Sequence, residues 1–307
     1  MGAADAGLAL AAALSLLGWR PASAAGPDDF IVVQAAPGVF AHLGKHLPLD
    51  APGHDDIANI GFIVGTKCTA VIDTGGSVRI GEALRKQVAR RTAVPICYVI
   101  NTHVHVDHVL GNAAFEGAHP SFVGHAKLAE AIARSRGFFA REYAADLGKA
   151  EVIAPDRTVT GALELDLGGR VLTLRAWPTA HTDCDLTVYD GATRTLWTGD
   201  LLFRGRLPAL DGSLPGWLRA LDELERIPAR VVVPGHGAIT RELKPSIAVE
   251  RRYLSALSEG VRAAIGRGDS LQQAIAQVAP AERAGWLLWD EVHPRNVVRA
   301  YRELEWQ

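Results

Sequence analysis

Along the 307-residue chain, short apolar runs with strand character alternate with stretches of helical period. Phe30–Val33, Val39–Leu43, Ile60–Val64 and Thr69–Ile72 read as strands. Lys45–Asp56, rich in Pro, Gly, Asp and His, reads as a loop. Arg79–Arg90 has helical period and a basic outer face, and Ile96–Ile100 is a β-branched run suited to a buried strand. A His-dense loop follows, then helical patterns over Lys127–Arg134 and Phe139–Leu147. From Val159 strands return at Leu163–Leu167, Arg170–Ala176, Asp185–Tyr189, Thr195–Thr198 and Val231–Val233. Helices are expected at Leu214–Leu224, Ser246–Ile265 and Leu271–Val278, the last two closing the chain.

The two parts repeat one plan. Strands end in Asp73-Thr74-Gly75 and Asn101-Thr102-His103, and later in Thr198-Gly199-Asp200 and Gly235-His236. This predicts an α/β fold: two mixed β-sheets packed face to face, helices outside, and the acidic and His residues gathered at one edge. Candidate ligands come from both parts, so residues 26–307 are expected to form one domain with a C-terminal helical region.

Composition narrows the setting. Lys plus Arg (32) nearly balances Asp plus Glu (34), which gives no reason to expect a nucleic-acid or anionic-membrane partner. Gly7–Leu17 is apolar but too short to anchor in a bilayer, and Ala22-Ser23-Ala24 has the small-x-small form of a cleavage site. Residues 1–25 therefore read as a signal peptide, although Asp5 stands where a basic residue is usual, and the mature chain is expected in the periplasm with no membrane span. Three scattered cysteines make no disulfide framework. Cys68 and Cys97 are within the scope of pairing in a periplasm but read more simply as buried free thiols, and Cys184 as a small buried residue.

The chemistry concentrates in Thr102-His103-Val104-His105-Val106-Asp107-His108, where four potential ligands fall within six residues after a buried strand. Neutral imidazole and carboxylate are the donors of catalytic zinc sites. The segment resembles the His-x-His-x-Asp-His signature of the metallo-β-lactamase superfamily. The likeness continues in order through Asp73-Thr74-Gly75, His181, Asp200 in Thr198-Gly199-Asp200, and His236 in Pro234-Gly235-His236-Gly237. It implies an αββα sandwich holding two Zn²⁺, with Fe or Mn as other options: His103, His105 and His181 at one position, Asp107, His108 and His236 at the other, and Asp200 bridging. It also implies a zinc-dependent hydrolase in which a metal-bound hydroxide attacks an ester, thioester or amide carbonyl of a small-molecule substrate, with Asp107 orienting the nucleophile. Asp73 is expected to orient ligands or to cap the following helix. Asp at 200, where many β-lactamases of the superfamily have Cys or Ser, resembles the glyoxalase II, lactonase and arylsulfatase branches.

Further segments, Gly44–Asp50, Asn101–Asn112, Trp197–Phe203, Asp211–Ser213 and Trp289–Asn296, resemble the quinoprotein relay system zinc metallohydrolases, which are SoxH-related. That likeness implies a link to a PQQ-dependent dehydrogenase or cytochrome c system. Two other functions compete: a mononuclear iron enzyme resembling persulfide dioxygenases, and a non-hydrolytic quinoprotein maturation factor. His46, His54, Asp55 and Asp56 are candidates for substrate contact from the early loop, and His42, His119, His125 and His293 are left as surface or core histidines.

Overall fold

A computed structural model describes Gly2 and residues 30–306 of the chain; the expected signal peptide lies almost wholly outside the described residues. The first sheet has seven strands in sequence order: β1 (Val33–Ala36), β2 (Val39–His42), β3 (Ile60–Val64), β4 (Thr69–Ile72), β5 (Ile96–Ile100), β6 (Ser121–His125) and β7 (Arg157–Val159). Pairing is antiparallel from β1 to β4 and parallel from β4 to β7. The second sheet has the order β12-β11-β10-β9-β8, formed by β8 (Ala162–Asp166), β9 (Val171–Ala176), β10 (Leu186–Asp190), β11 (Thr195–Phe203) and β12 (Val231–His236). All its pairs are antiparallel except β11 with β12.

The two sheets pack through Val39, Ile63, Ile72 and Ile100 of the first against Leu174, Val188, Trp197 and Val233 of the second. Helix α1 (Val78–Arg91) covers the outer face of the first sheet, with Ile80, Leu84 and Val88 against Phe62, Val71 and Val99. Its N-cap is Ser77, whose hydroxyl accepts from Ile80 N, so Asp73 does not serve as the cap. The one-turn helix α2 (Val106–Val109), α3 (Leu128–Glu142) and α4 (Ala144–Leu147) follow. The outer face of the second sheet is covered by α5 (Leu214–Leu224), α6 (Leu243–Arg267), α7 (Leu271–Gln277) and α8 (Trp289–Leu304). Helix, sheet, sheet and helix thus form the expected layers.

Three expectations are corrected. The first strand begins at Val33 rather than Phe30, because the turn at Pro37-Gly38 (Gly38 φ 71°) sets the register Val33↔Ala41; Phe30 instead stacks on His42 at 3.8 Å. The chain closes on α8, not on the helix at Leu271. Cys68 and Cys97 are not free: parallel β4 and β5 begin side by side, with Thr69 opposite Ile96, and the two cysteines are joined by a disulfide with a Cα–Cα distance of 5.5 Å. Cys184 is free and buried as expected, and burial pushes its thiol up to about 12.

Candidate metal centre

The expected edge of the sandwich collects strand ends. Beyond β4, Asp73 takes a left-handed conformation (φ 52°), unusual for a residue with a side chain. Its carboxylate lies at the end of β5, where Oδ1 accepts from Thr102 N at 2.8 Å and Oδ2 from the Thr102 hydroxyl at 2.7 Å and His108 Nδ1 at 2.8 Å. The loop after β5 then carries His103 and His105 into α2, whose single turn presents Asp107 and His108. Gly199 and Gly235 let β11 and β12 close on this loop. A Cβ on Gly199 would meet the Thr102 side chain at 2.7 Å, and one on Gly235 would overlap Asp200 Oδ1.

The seven candidate residues converge in two groups. His103, His105, His181 and Asp200 form one, and Asp107, His108 and His236 the other, with donor atoms within 4.8 Å of one another in each. Asp200 reaches both: Oδ2 lies 3.4 Å from His181 Nε2 and 3.2 Å from His236 Nε2, and Oδ1 lies 3.2 Å from His108 Nε2. Asp107 Oδ2 lies 3.3 Å from His236 Nε2. All but His105 are buried, and His105 is partly so.

Each imidazole has its outward nitrogen engaged by an oxygen. His103 Nδ1 meets the Thr102 hydroxyl at 3.0 Å, and because that hydroxyl donates to Asp73 it accepts from His103. His108 Nδ1 donates to Asp73, His181 Nδ1 to Ala209 O at 2.7 Å, His236 Nδ1 to Ile57 O at 2.8 Å, and His105 Nε2 to Asp211 Oδ2 at 2.8 Å. A neutral imidazole has one donor nitrogen, so in each neutral ring the inward nitrogen is a bare lone pair. His105 Nδ1 and His181 Nε2 then face each other at 3.0 Å. His103 Nε2, His108 Nε2 and Asp200 Oδ1 are buried with no hydrogen-bond partner. Lone pairs crowded together in a buried site repel unless a cation lies among them, so the residues fit bound metal.

The charges divide the five rings: against burial, Asp200, Asp107 and Asp73 raise His108 well above its usual range and Asp211 raises His105, so acidic charge collects where a cation would sit. Burial, then the His105 charge, lowers His181 to about 3, and burial with His108 holds His103 well below its usual range. Both are therefore neutral at pH 7. Burial opposes ionisation of Asp200, but the imidazoles facing it, His236 and His108 first, outweigh burial and hold the carboxyl far below the usual range. The rings are also fixed by packing: Phe203 stacks on His236 at 4.9 Å, and Trp217 sits edge-on to His181 at 5.1 Å.

Other parts of the site carried no role in the sequence. Asn59 Nδ2 donates to Pro234 O and Gly237 O, holding the loop that carries His236. Asn296 of α8 accepts from Leu210 N at 2.9 Å and donates to Pro208 O at 2.7 Å, and Arg299 pairs with Asp211 at 2.7 Å. Helix α8 thereby fixes the segment 208–211 that holds His181 and His105. The early loop departs from its expected use. Asp55 accepts from Ser77 and Arg79, Asp56 pairs with His42 and Lys45, and His54 with Asp146, all structural contacts. From that loop Leu49 lines the cleft over the site, and His46 lies beside Gly205, its pKa lowered by burial and then by His236 and Arg206.

No curated protein matches the chain. Among solved structures, a stereoselective inverting sec-alkylsulfatase from Pseudomonas sp. matches 89% of this chain and 50% of its own at 16% identity, with a TM-score of 0.69. A metallo-beta-lactamase from Pontibacter korlensis matches 73% of this chain and 98% of its own at 22% identity, with a TM-score of 0.58. The chain thus spans half the length of the alkylsulfatase, and at these identities the likeness shows the fold. The family model of the metallo-beta-lactamase superfamily matches residues 53–236, well over half the chain and every residue of the two clusters. This chain belongs to the metallo-beta-lactamase superfamily.

Proposed function

We propose that the protein is a dinuclear metal-dependent hydrolase acting on an ester, thioester or amide. The observation that carries this reading is the orientation of the five imidazoles, each with its outward nitrogen engaged by an oxygen and its inward nitrogen turned toward Asp200 or another ring. His103, His105 and His181 would hold one ion, Asp107, His108 and His236 the other, and Asp200 would contribute to both. Two divalent cations, zinc by this donor set and iron or manganese as the nearest substitutes, would supply Lewis-acid polarisation and lower the pKa of a bound water. Asp107 belongs to the second cluster and also lines the cleft. Burial opposes its ionisation, but His108 and His236 outweigh burial and keep it a carboxylate, so it accepts a hydrogen bond from an attacking water and orients it. A single-iron oxygenase would need only the first position; the complete, buried second cluster favours two ions.

The same reading includes export to the periplasm. The Cys68–Cys97 disulfide supports it, because such bonds persist in oxidising compartments. The quinoprotein link rests on the sequence segments named above and would appear as co-purification with a PQQ-dependent dehydrogenase or a cytochrome c.

Asp200→Asn tests the dinuclear site. The amide keeps the shape but removes the charge that offsets two dications. The expected result is loss of one metal per chain by elemental analysis and a fall of at least about a hundredfold in hydrolysis. Two tightly held ions with full activity would remove Asp200 from the bridging role.

A further inference from the structure

A cleft of about 950 Å³ opens over the two clusters, with His105, Asp107, Asp200 and His236 at its floor and α3 and α8 as its walls. Its lining is unlike the rest of the molecule. The chain as a whole carries a net charge of −2, yet five arginines line this cleft: Arg134, Arg206, Arg295, Arg299 and Arg302. Away from the floor, the acidic residues of the lining are Asp183 and Asp211, already paired with Arg134 and Arg299. Arg295, Arg299 and Arg302 are spaced by four and three residues, which puts them on one face of α8.

Arg206 is the most telling of the five. It is 7% exposed, its Nη1 donates to Leu47 O at 3.0 Å, and among the described residues no carboxylate lies within ion-pair distance of it. Asp107 and Asp200 are the carboxylates whose charge it feels, and both are committed to the metal clusters. A buried guanidinium keeps its charge and is costly without a counter-charge. Apolar side chains also line the wall: Phe138, 47% exposed, and Leu49 stand at the surface, with Tyr143 and Val292 beside them in the lining.

Resting on the hydrolase reading for where reaction occurs, we infer that the substrate is an amphiphilic organic anion, its negative group received by Arg206 beside the clusters and its apolar body lying along Phe138 and Tyr143. The arginine face of α8 draws the anion into the cleft. Arg206 is then a residue that sets specificity, and the outer arginines set the rate of capture.

Titration calorimetry on the zinc-loaded full chain with octyl sulfate, octanol and inorganic sulfate as probes tests this. Octyl sulfate should bind at least about tenfold more tightly than either of the others, and its affinity should weaken as salt is raised. Arg206→Met should remove most of that preference with zinc content unchanged, and Arg206→Lys should restore part of it. Equal binding of octyl sulfate and octanol overturns the inference, as does inorganic sulfate binding as tightly as octyl sulfate. Undiminished preference in Arg206→Met with two zincs would mean that the ions alone attract the anion, and overturns it too. If Arg206→Met does not fold, the exposed double variant Arg295→Gln/Arg302→Gln decides: it should flatten the salt dependence, and an unchanged salt dependence overturns the capture role and the inference with it. Zinc content of the same samples separates the two readings. A chain that holds no zinc yet keeps the anion preference contradicts the hydrolase, whereas two zincs without the preference contradict this inference alone.

Discussion

His108 and His236 are held from within the sandwich, by Asp73 and Ile57 O, through hydrogen bonds closed to solvent. His105 and His181 are held from its rim: Asp211 and Ala209 O engage them, and the segment carrying both is tied to Asn296 and Arg299 of α8, outside the residues that match the family. His103 stands between, sharing Asp73 with His108 through Thr102. One side of the centre is braced from residues within the family match, the other by a helix that lies beyond it. Orientation of ligands by their hydrogen-bond partners is worth roughly ten- to a hundredfold in metal affinity, so the two braces can be removed separately and compared.

Removing the inner brace should cost most. In Asp73→Asn, the amide nitrogen faces donors it cannot accept from, and His108 and Thr102 lose buried partners. Affinity at the Asp107/His108/His236 position should fall by about a hundredfold, with a lower melting temperature. Metal titration read beside thermal unfolding checks this; unchanged affinity would show that Asp73 only shapes the loop.

The outer brace should cost less. Asn296→Ala leaves Leu210 N and Pro208 O without their partner and frees the segment 208–211. Affinity at the His103/His105/His181 position should fall about tenfold, and the other position should be spared. Loss of both positions together would mean that the braces are not independent.

A separate effect, on stability rather than on metal affinity, enters through pH. His293 of α8 donates from Nε2 to Val278 O and accepts at Nδ1 from the Tyr253 hydroxyl, which in turn accepts from Asn296. Burial lowers its pKa to about 4. The unfolded chain takes up a proton near pH 6.5 and the folded chain only near 4, so this contribution to stability is complete above 6.5 and is lost as pH falls from 6.5 to 4. The loss is on the order of 3 kcal/mol. Wild type and His293→Gln, unfolded in denaturant across that window, should converge as pH drops. Parallel curves would remove His293 from the acid response.

How much of this was legible follows the physics of each signal. Ile60–Val64, Thr69–Ile72, Ile96–Ile100 and Leu214–Leu224 were read to the residue, because apolar runs between turn residues report burial directly. The candidate site was legible because four potential ligands cluster in one loop. Helix α8 was missed although Trp289, His293, Val297, Ala300 and Leu304 line its buried face. Pro294 lies inside it, and it starts at Leu288 in a left-handed conformation with no polar cap, so both the usual start signal and the unbroken period are absent. Strand β6 was hidden in the same way, with Phe122 and Val123 the only apolar residues between Pro120 and Gly124. The disulfide and the role of Arg206 depend on pairing between distant segments, which no local pattern carries.

The most direct test of the central claim, that these seven residues hold two ions, is metal content of the purified chain and of His103→Ala and His236→Ala by elemental analysis. About two ions per chain are expected in the wild type and a fall toward one in each variant, from a different cluster in each case. A wild type with one ion, or variants that both keep two at wild-type affinity, would contradict that claim.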